Sequence, residues 1–383
     1  MTDKSNLPQL LQLIARDGQD LRQLMVGLQS HPESHLLGFG LLPYLAFYAI
    51  ESSDFFNRNI PDYRDLQLIL SDTTLRQSRA KMKLFDSDRG GFDGVVAQLS
   101  TIERQSIHWF NQSHLGIFGS LKRRFQDDLG CTFLGENLVM TTHVAMVNTG
   151  YSIEEFNLLK GNVFSELGKK VFESARELGS YVAVVTNALD PFLLYGTPES
   201  ELELKKFNFE LRDYKSGQIY PVLQNHFGLE ESFHVASITW MVAQANVVHH
   251  IARSLFPPKS DFYFRARFLT AFHTLNGLRK ISNLAKDRRN SLIFQVASDV
   301  LKTPESRAIR KLDNLRDIIA HYGLPAMTDR DFVSSDLLGG AVPYFGRRTS
   351  AEIDQLVDAC LSDMTLQFQK LISKDFLGGR QVR

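Results

Sequence analysis

The 383-residue chain carries 43 basic and 43 acidic side chains, 43% hydrophobic residues and 28 Phe, enough apolar material for one large or two ordinary cores; wholesale disorder is excluded. Zero formal charge and a pI of about 7.2 give no overall attraction to nucleic acid or anionic membrane, so any such affinity has to be local. Cys131 and Cys360 are the only cysteines, which excludes a disulfide scaffold and a CxxC-type zinc or redox centre and suits a reducing, cytoplasmic setting.

The polar start Met1-Thr2-Asp3-Lys4-Ser5-Asn6 lacks the order of an export signal. Residues 7–29 carry Leu10, Leu13, Ile14, Leu21, Leu24, Met25 and Leu28 near helical spacing, interrupted by Gly18, and predict a helix or a helical pair. The longest apolar stretch, Leu36 to Ile50, holds Gly38, Gly40 and Pro43. It is too short and too broken to span a bilayer of about 30 Å, and reads as a buried helix with an aromatic face. Helical patterns recur over 62–85 and 95–110, separated by the loop Asp86-Ser87-Asp88-Arg89-Gly90-Gly91. From 127 to 228, helical stretches at 153–178 and 180–190 alternate with Gly- and Pro-containing turns and one weak extended segment, Leu202 to Leu211.

In the last third, 230–256 and 261–286 form a helical hairpin, stopped by Pro257-Pro258 and restarted by Ser260 or Asp261 as cap. Thr303-Pro304-Glu305 opens a further helix that ends at Tyr322-Gly323. Thr349-Ser350-Ala351-Glu352 is a capping box before a final helix bearing Ile353, Leu356, Val357, Cys360, Leu361, Met364 and Phe368. The expected fold is all-α or nearly so, with an N-terminal helical region over 1–228 and a C-terminal helical domain over 229–383. Between 257 and 325 there are 13 Lys or Arg against 6 acids, and the rest of the chain is correspondingly acidic. Such a segment suits a local polyanion site, or simply solvated helix faces.

The stretch Leu315-Arg316-Asp317-Ile318-Ile319-Ala320-His321-Tyr322-Gly323 resembles the R-polar-x-x-x-H signature of the HEPN family, and the likeness extends over about 257–374 through the order helix, helix, motif helix, final helix. That resemblance implies a metal-independent endoribonuclease acting as a homodimer, of the toxin or antiviral-effector kind. Arg316 and His321 would be catalytic, Asp317 the supporting polar residue, and RNA the partner. The residue types suit this chemistry. Histidine exchanges protons near neutrality, arginine offers a planar fork to phosphate oxygens, and Asp317, four residues before His321, can fix the imidazole tautomer. Arg316 and His321 lie about 140° apart around a helix, so a second copy would help to surround one phosphate. The basic residues Lys286, Arg288, Arg289, Arg310 and Lys311 are candidates for guiding RNA. A purely structural arrangement is also open, in which Arg316 pairs with Asp313 and His321 caps the helix C-terminus.

A second constellation lies upstream. Glu136 and His143 stand two helical turns apart, and His226, Glu230 and His234 follow an i, i+4, i+8 ladder. Residues 127–256 in this respect resemble haem-oxygenase-like di-iron oxidases, which implies two irons held by Glu136, His143, Glu230 and His234, although Asn187 stands where that family has a further carboxylate. His143 and His234 can equally be hydrogen-bonded core histidines, and His249-His250 read as structural. A third reading is a non-catalytic helical protein that binds a partner. No phosphate loop, dinucleotide fingerprint or G-x-S-x-G occurs.

Overall fold

The apolar repeat of the first thirty residues forms one unbroken helix, α1 (Leu7–Ser30). Gly18 does not interrupt it. The missing side chain lets a second helix approach, because a Cβ there would lie 2.5 Å from Tyr48 Oη and 2.9 Å from Thr186 Cγ2. The architecture comes from a computed structural model, which describes residues 7–60, 73–81, 104, 127–149, 163–192, 206–229, 233–257, 259–284, 289–322 and 340–378. The helices expected over 62–72, 82–85, 95–110 and 153–162 fall largely outside those residues.

The aromatic stretch becomes α2 (Ser34–Asn59), buried along most of its length and carrying Pro43 inside it. Proline has no N–H to offer the carbonyl four residues back. The Phe39 carbonyl accepts instead from Asn148 Nδ2 at 3.0 Å. By length and composition alone α2 would cross a membrane, yet its apolar window is 83% buried inside the protein. Helix α3 (Thr73–Lys81) packs on α2.

Leu129–Leu134 (β1) and Asn137–Thr141 (β2) form a hairpin that turns through Gly135 at φ 60°. β3 (Phe209–Tyr214) pairs antiparallel with the other edge of β1, giving the order β2-β1-β3. The extended segment expected at 202–211 is thus a strand placed slightly later. Helix α4 (Thr142–Asn148) follows β2 directly, capped by the Thr141 side chain, which accepts from Val144 N at 3.0 Å. Helix α5 (Val163–Leu189) lies along α1. Helix α6 (Ser216–Phe227) ends at Gly228, φ 73°, the left-handed position glycine tolerates.

Helix α7 (Phe233–Asn246) continues into a π-helical turn, Val247–Ile251. Helix α8 (Asp261–Leu284) starts after Pro257 with Ser260 Oγ accepting from Tyr263 N, and completes the expected hairpin. Helix α9 (Leu292–Lys302), capped by Ser291, stands apart from α8 as a separate element. The helix expected over 303–322 is two pieces, α10 (Pro304–Ile309), capped by Thr303, and α11 (Asp313–Ile319), which restarts with Asp313 in its first turn. After α12 (Ala341–Gly346), the capping box of Thr349 and Glu352 opens α13 (Ser350–Leu371) as expected. Short α14 (Lys374–Gly378) follows it.

The fold is therefore mostly α-helical with one small three-stranded sheet. Its buried hydrophobic residues form a connected cluster with members before and after residue 228. Helix α1 packs on α8, where fully buried Asp17 meets Arg265 Nε at 3.3 Å.

Candidate functional site

Helix α11 buries Leu315, Ile318 and Ile319 and stops at Ala320. The last carbonyls of a helix have no intrahelical donor. One of them, Ile319 O, accepts from Arg265 Nη1 at 3.1 Å. The same guanidinium lies 4.4 Å above the Tyr322 ring, and Tyr322 donates its hydroxyl to Asp17 Oδ2 at 2.5 Å. Tyr48 of α2 meets Tyr322 edge-on. Burial pushes the Asp17 carboxyl up to about 6, with Arg265 and the Tyr322 hydrogen bond opposing.

This packing fixes the backbone that presents His321 just past the helix end. Its Nδ1 lies 2.7 Å from Glu51 Oε2. The Glu51 side chain keeps only 2% of its exposure, while that of His321 keeps 40%. The second Glu51 oxygen pairs with Arg79 of α3. A half-exposed imidazole backed by a buried carboxylate and a cation therefore sits where α11, α2 and α3 converge. A carboxylate so placed favours the Nδ1–H tautomer of the imidazole.

The sequence suggests Asp317 beside the imidazole; the carboxylate that meets His321 Nδ1 in the structure is Glu51. The helix ends at Ile319, so the i, i+4 relation that would have placed Asp317 beside the imidazole does not operate. Asp317 is exposed and pairs with its neighbour Arg316, Nη1 to Oδ1 at 3.2 Å, and Asp313 is not that partner. The Arg316 guanidinium lies 5.5 Å from the Phe272 ring centre on α8. Glu51 was missed because it is 270 residues from His321. Its signal was a lone acid at the end of the apolar run LAFYAIESS.

Of the basic residues expected to guide RNA, Lys286 and Arg288 lie outside the described residues. Arg289 and Lys311 are exposed and Arg310 is half-buried. Desolvation, and then the like charge of Arg279, lower the Arg310 guanidinium from its usual value.

The upstream constellation takes a different form from its sequence reading. Glu136 is in the β1–β2 turn, because residues 134–141 belong to the hairpin and helix begins only at Thr142. It accepts from Asp375 N at 3.0 Å and pairs with Lys374 at 3.6 Å. His143 sits on α4 with Nδ1 2.6 Å from Tyr220 Oη, and burial lowers it to about 4. The spacing of two helical turns therefore does not apply to Glu136 and His143. The ladder of His226, Glu230 and His234 is also broken, since Gly228 ends α6 before α7 begins. His226 stacks on Phe376 with ring centres 3.9 Å apart, His234 is half-buried at the start of α7, and Glu230 lies outside the described residues. Among the described residues no group of three or more His, Cys, Asp or Glu side chains is arranged to hold a metal ion. Cys131 and Cys360 are free, buried thiols, both pushed up by burial.

Sequence reasoning also passed over the π-helical turn of α7. It sets the His249 and His250 rings edge to face, 4.7 Å apart. Nearby, Arg267 of α8 pairs with Asp354 and, at 3.7 Å, with Asp358 of α13. Arg253 reaches Asp358 at the same distance. Burial lowers both imidazoles, His250 to about 4. The adjacent histidines and Arg253 were visible in the sequence, but nothing there announced the wider turn.

Compared with protein-family models, curated proteins and solved structures, the chain matches none.

Proposed function

We propose that the chain is an RNA-cleaving enzyme of the HEPN type that works by acid and base catalysis without a metal. The observation that carries this reading is the Glu51–His321 pair at 2.7 Å, a buried carboxylate backing a half-exposed imidazole. In the reaction, Nε2 of His321 takes the proton of a ribose 2′-hydroxyl, whose oxygen attacks the adjacent phosphorus. The phosphorus–5′-oxygen bond breaks and the departing oxygen is protonated, leaving a 2′,3′-cyclic phosphate. Arg316 holds the non-bridging phosphate oxygens, and Glu51 keeps the imidazole in its reactive tautomer. A second copy of the chain would supply the acid for the leaving group.

The test is cleavage of a mixed pool of tRNA and single-stranded RNA in EDTA, with analysis of the ends. Wild type should cut and leave cyclic phosphate. His321→Gln should slow cutting at least 100-fold, the scale expected for loss of a general base. Arg316→Ala should weaken it at unchanged helicity. Equal inactivity of wild type and variants across the pool would remove the reading and favour the non-catalytic binding protein, in which Glu51, His321 and Arg79 only tie helices together.

A further inference from the structure

Strand β3 closes one side of the sheet. One of its edges is paired to β1, and among the described residues no strand pairs with the other. Such an edge carries a row of backbone N–H and C=O groups able to take up a further strand. Alternation along β3 puts Phe209, Leu211 and Asp213 on one face and Glu210, Arg212 and Tyr214 on the other. Phe209 packs against the core and stacks on Phe207 with ring centres 5.5 Å apart. Leu211 does not follow it inward. It is 67% exposed, and the other large apolar side chains exposed among the described residues are all on helices.

The charges on β3 select the strand that fits. Two identical antiparallel strands pair about a two-fold axis normal to the sheet, which keeps every side chain on its own face and sets one residue opposite its own copy. An axis beside Glu210, Arg212 or Asp213 would set like charges directly opposite, which is destabilising. An axis beside Phe209 or Tyr214, at the strand ends, would leave only a short overlap. An axis beside Leu211 sets leucine against leucine, and Glu210 of each chain against Arg212 of the other. Within one chain Glu210 already accepts from Arg212 Nε at 2.7 Å, and Lys374 Nζ lies 3.2 Å from its second oxygen. Both side chains remain partly exposed and can reach across the axis. Exposed ion pairs add little affinity. Here they fix the register, while the backbone ladder and the covered leucines hold the strands together.

We infer that the outer edge of β3 pairs with the same edge of a second copy of this chain, antiparallel and centred on Leu211, joining the two sheets into one. The interface does not depend on the nuclease reading.

The experiment is analytical ultracentrifugation of the full-length chain over a range of concentrations, without RNA. Wild type should form a dimer. Leu211→Lys and Leu211→Asp each place like charges across the axis, and each should sediment as a monomer with the circular dichroism of wild type, since the side chain they replace is exposed. Mixing the two variants should restore the dimer, because lysine then faces aspartate. A contact made elsewhere on the molecule would not be rescued in this way. A wild-type chain that stays monomeric at every concentration would overturn the inference and leave this edge to a strand of another protein. Either variant dimerising as wild type does would put the interface elsewhere, and a mixture that fails to reassociate would rule out the Leu211 centre. Because association is read without cleavage, the result is separate from that of the His321 test.

Discussion

Asn148 bonds to three residues at once. Its Nδ2 supplies the donor that Pro43 withholds from Phe39, its Oδ1 accepts from Trp240, and its carbonyl accepts from Ser78 Oγ at 2.6 Å. Replacing it with Ala would strand the Phe39 carbonyl and the indole N–H in the core. Each unmatched group costs roughly 1–3 kcal/mol, so Asn148→Ala should lose about 3 kcal/mol in urea unfolding. His143 makes a prediction about pH. Its folded value of about 4 lies below the ordinary 6.5 because burial disfavours the charged ring. Above pH 6.5 both folded and unfolded chains carry it neutral and its contribution is complete. As pH falls toward 4 the unfolded chain takes up the proton first, and about 3 kcal/mol is withdrawn. Stability measured by urea at pH 7.5 and pH 4 should therefore show wild type losing more than His143→Gln. Asp17 and Asp20 act in the opposite sense, since burial raises both to about 6. Their contribution is largest at low pH and is lost as pH rises from 3.8 to 6, which blunts acid unfolding of the whole chain.

Among the elements, those whose ends are marked by local chemistry were legible and those set by distant packing were not. Thr349 and Glu352 announce α13 through four residues of sequence, and the reciprocal bonds are present, Thr349 N to Glu352 Oε2 at 2.7 Å and Glu352 N to Thr349 Oγ1 at 3.2 Å. Thr349→Ala should cost about 1 kcal/mol, the usual worth of such a cap, read as a small fall in unfolding midpoint. Thr303 and Pro304 were equally plain. By contrast, the break between α10 and α11 has no glycine or proline to signal it, and the hairpin at 129–141 was read with helical spacing because Glu136 and His143 invited it. Gly18 misled in the other direction. Glycine weakens a helix by about 1 kcal/mol relative to alanine, but here the gap admits Tyr48, held by its hydroxyl to Ile14 O at 3.1 Å. Gly18→Ala should therefore destabilise despite its better helix propensity, and a rise in melting temperature would contradict this packing. Of the candidate site, Arg316 and His321 were visible as residues, but Glu51, whose carboxylate meets the imidazole, becomes visible only when helices distant in sequence are brought together.

At the scale of the molecule, the regions before and after residue 228 share buried polar bonds as well as apolar packing. Asp17 meets Arg265 and Tyr322, Glu51 meets His321, and Tyr44 meets Thr270. A fragment of 229–383 would leave Arg265, 1% exposed in the whole chain, without its carboxylate, and breaking such a buried pair costs about 3–5 kcal/mol. The fragment should show helical circular dichroism without a cooperative melt, and adding the 1–228 fragment should restore one. A sharp melt of 229–383 alone would show instead that the two regions fold separately.

The clasp at Glu136 carries a consequence in time. The hairpin turn is held by the start of α14, 239 residues later, through Asp375 N and Lys374, and by the bridge of Asn137 to Ser373. At a synthesis rate of about 5–20 residues per second, the hairpin waits roughly 12–48 s on the ribosome for these contacts to exist. During that interval β2 presents an unpartnered edge, the kind of surface on which other chains add. A chain released before residue 373 should thus aggregate where the full-length chain does not, and its yield in soluble form should depend on the speed of translation.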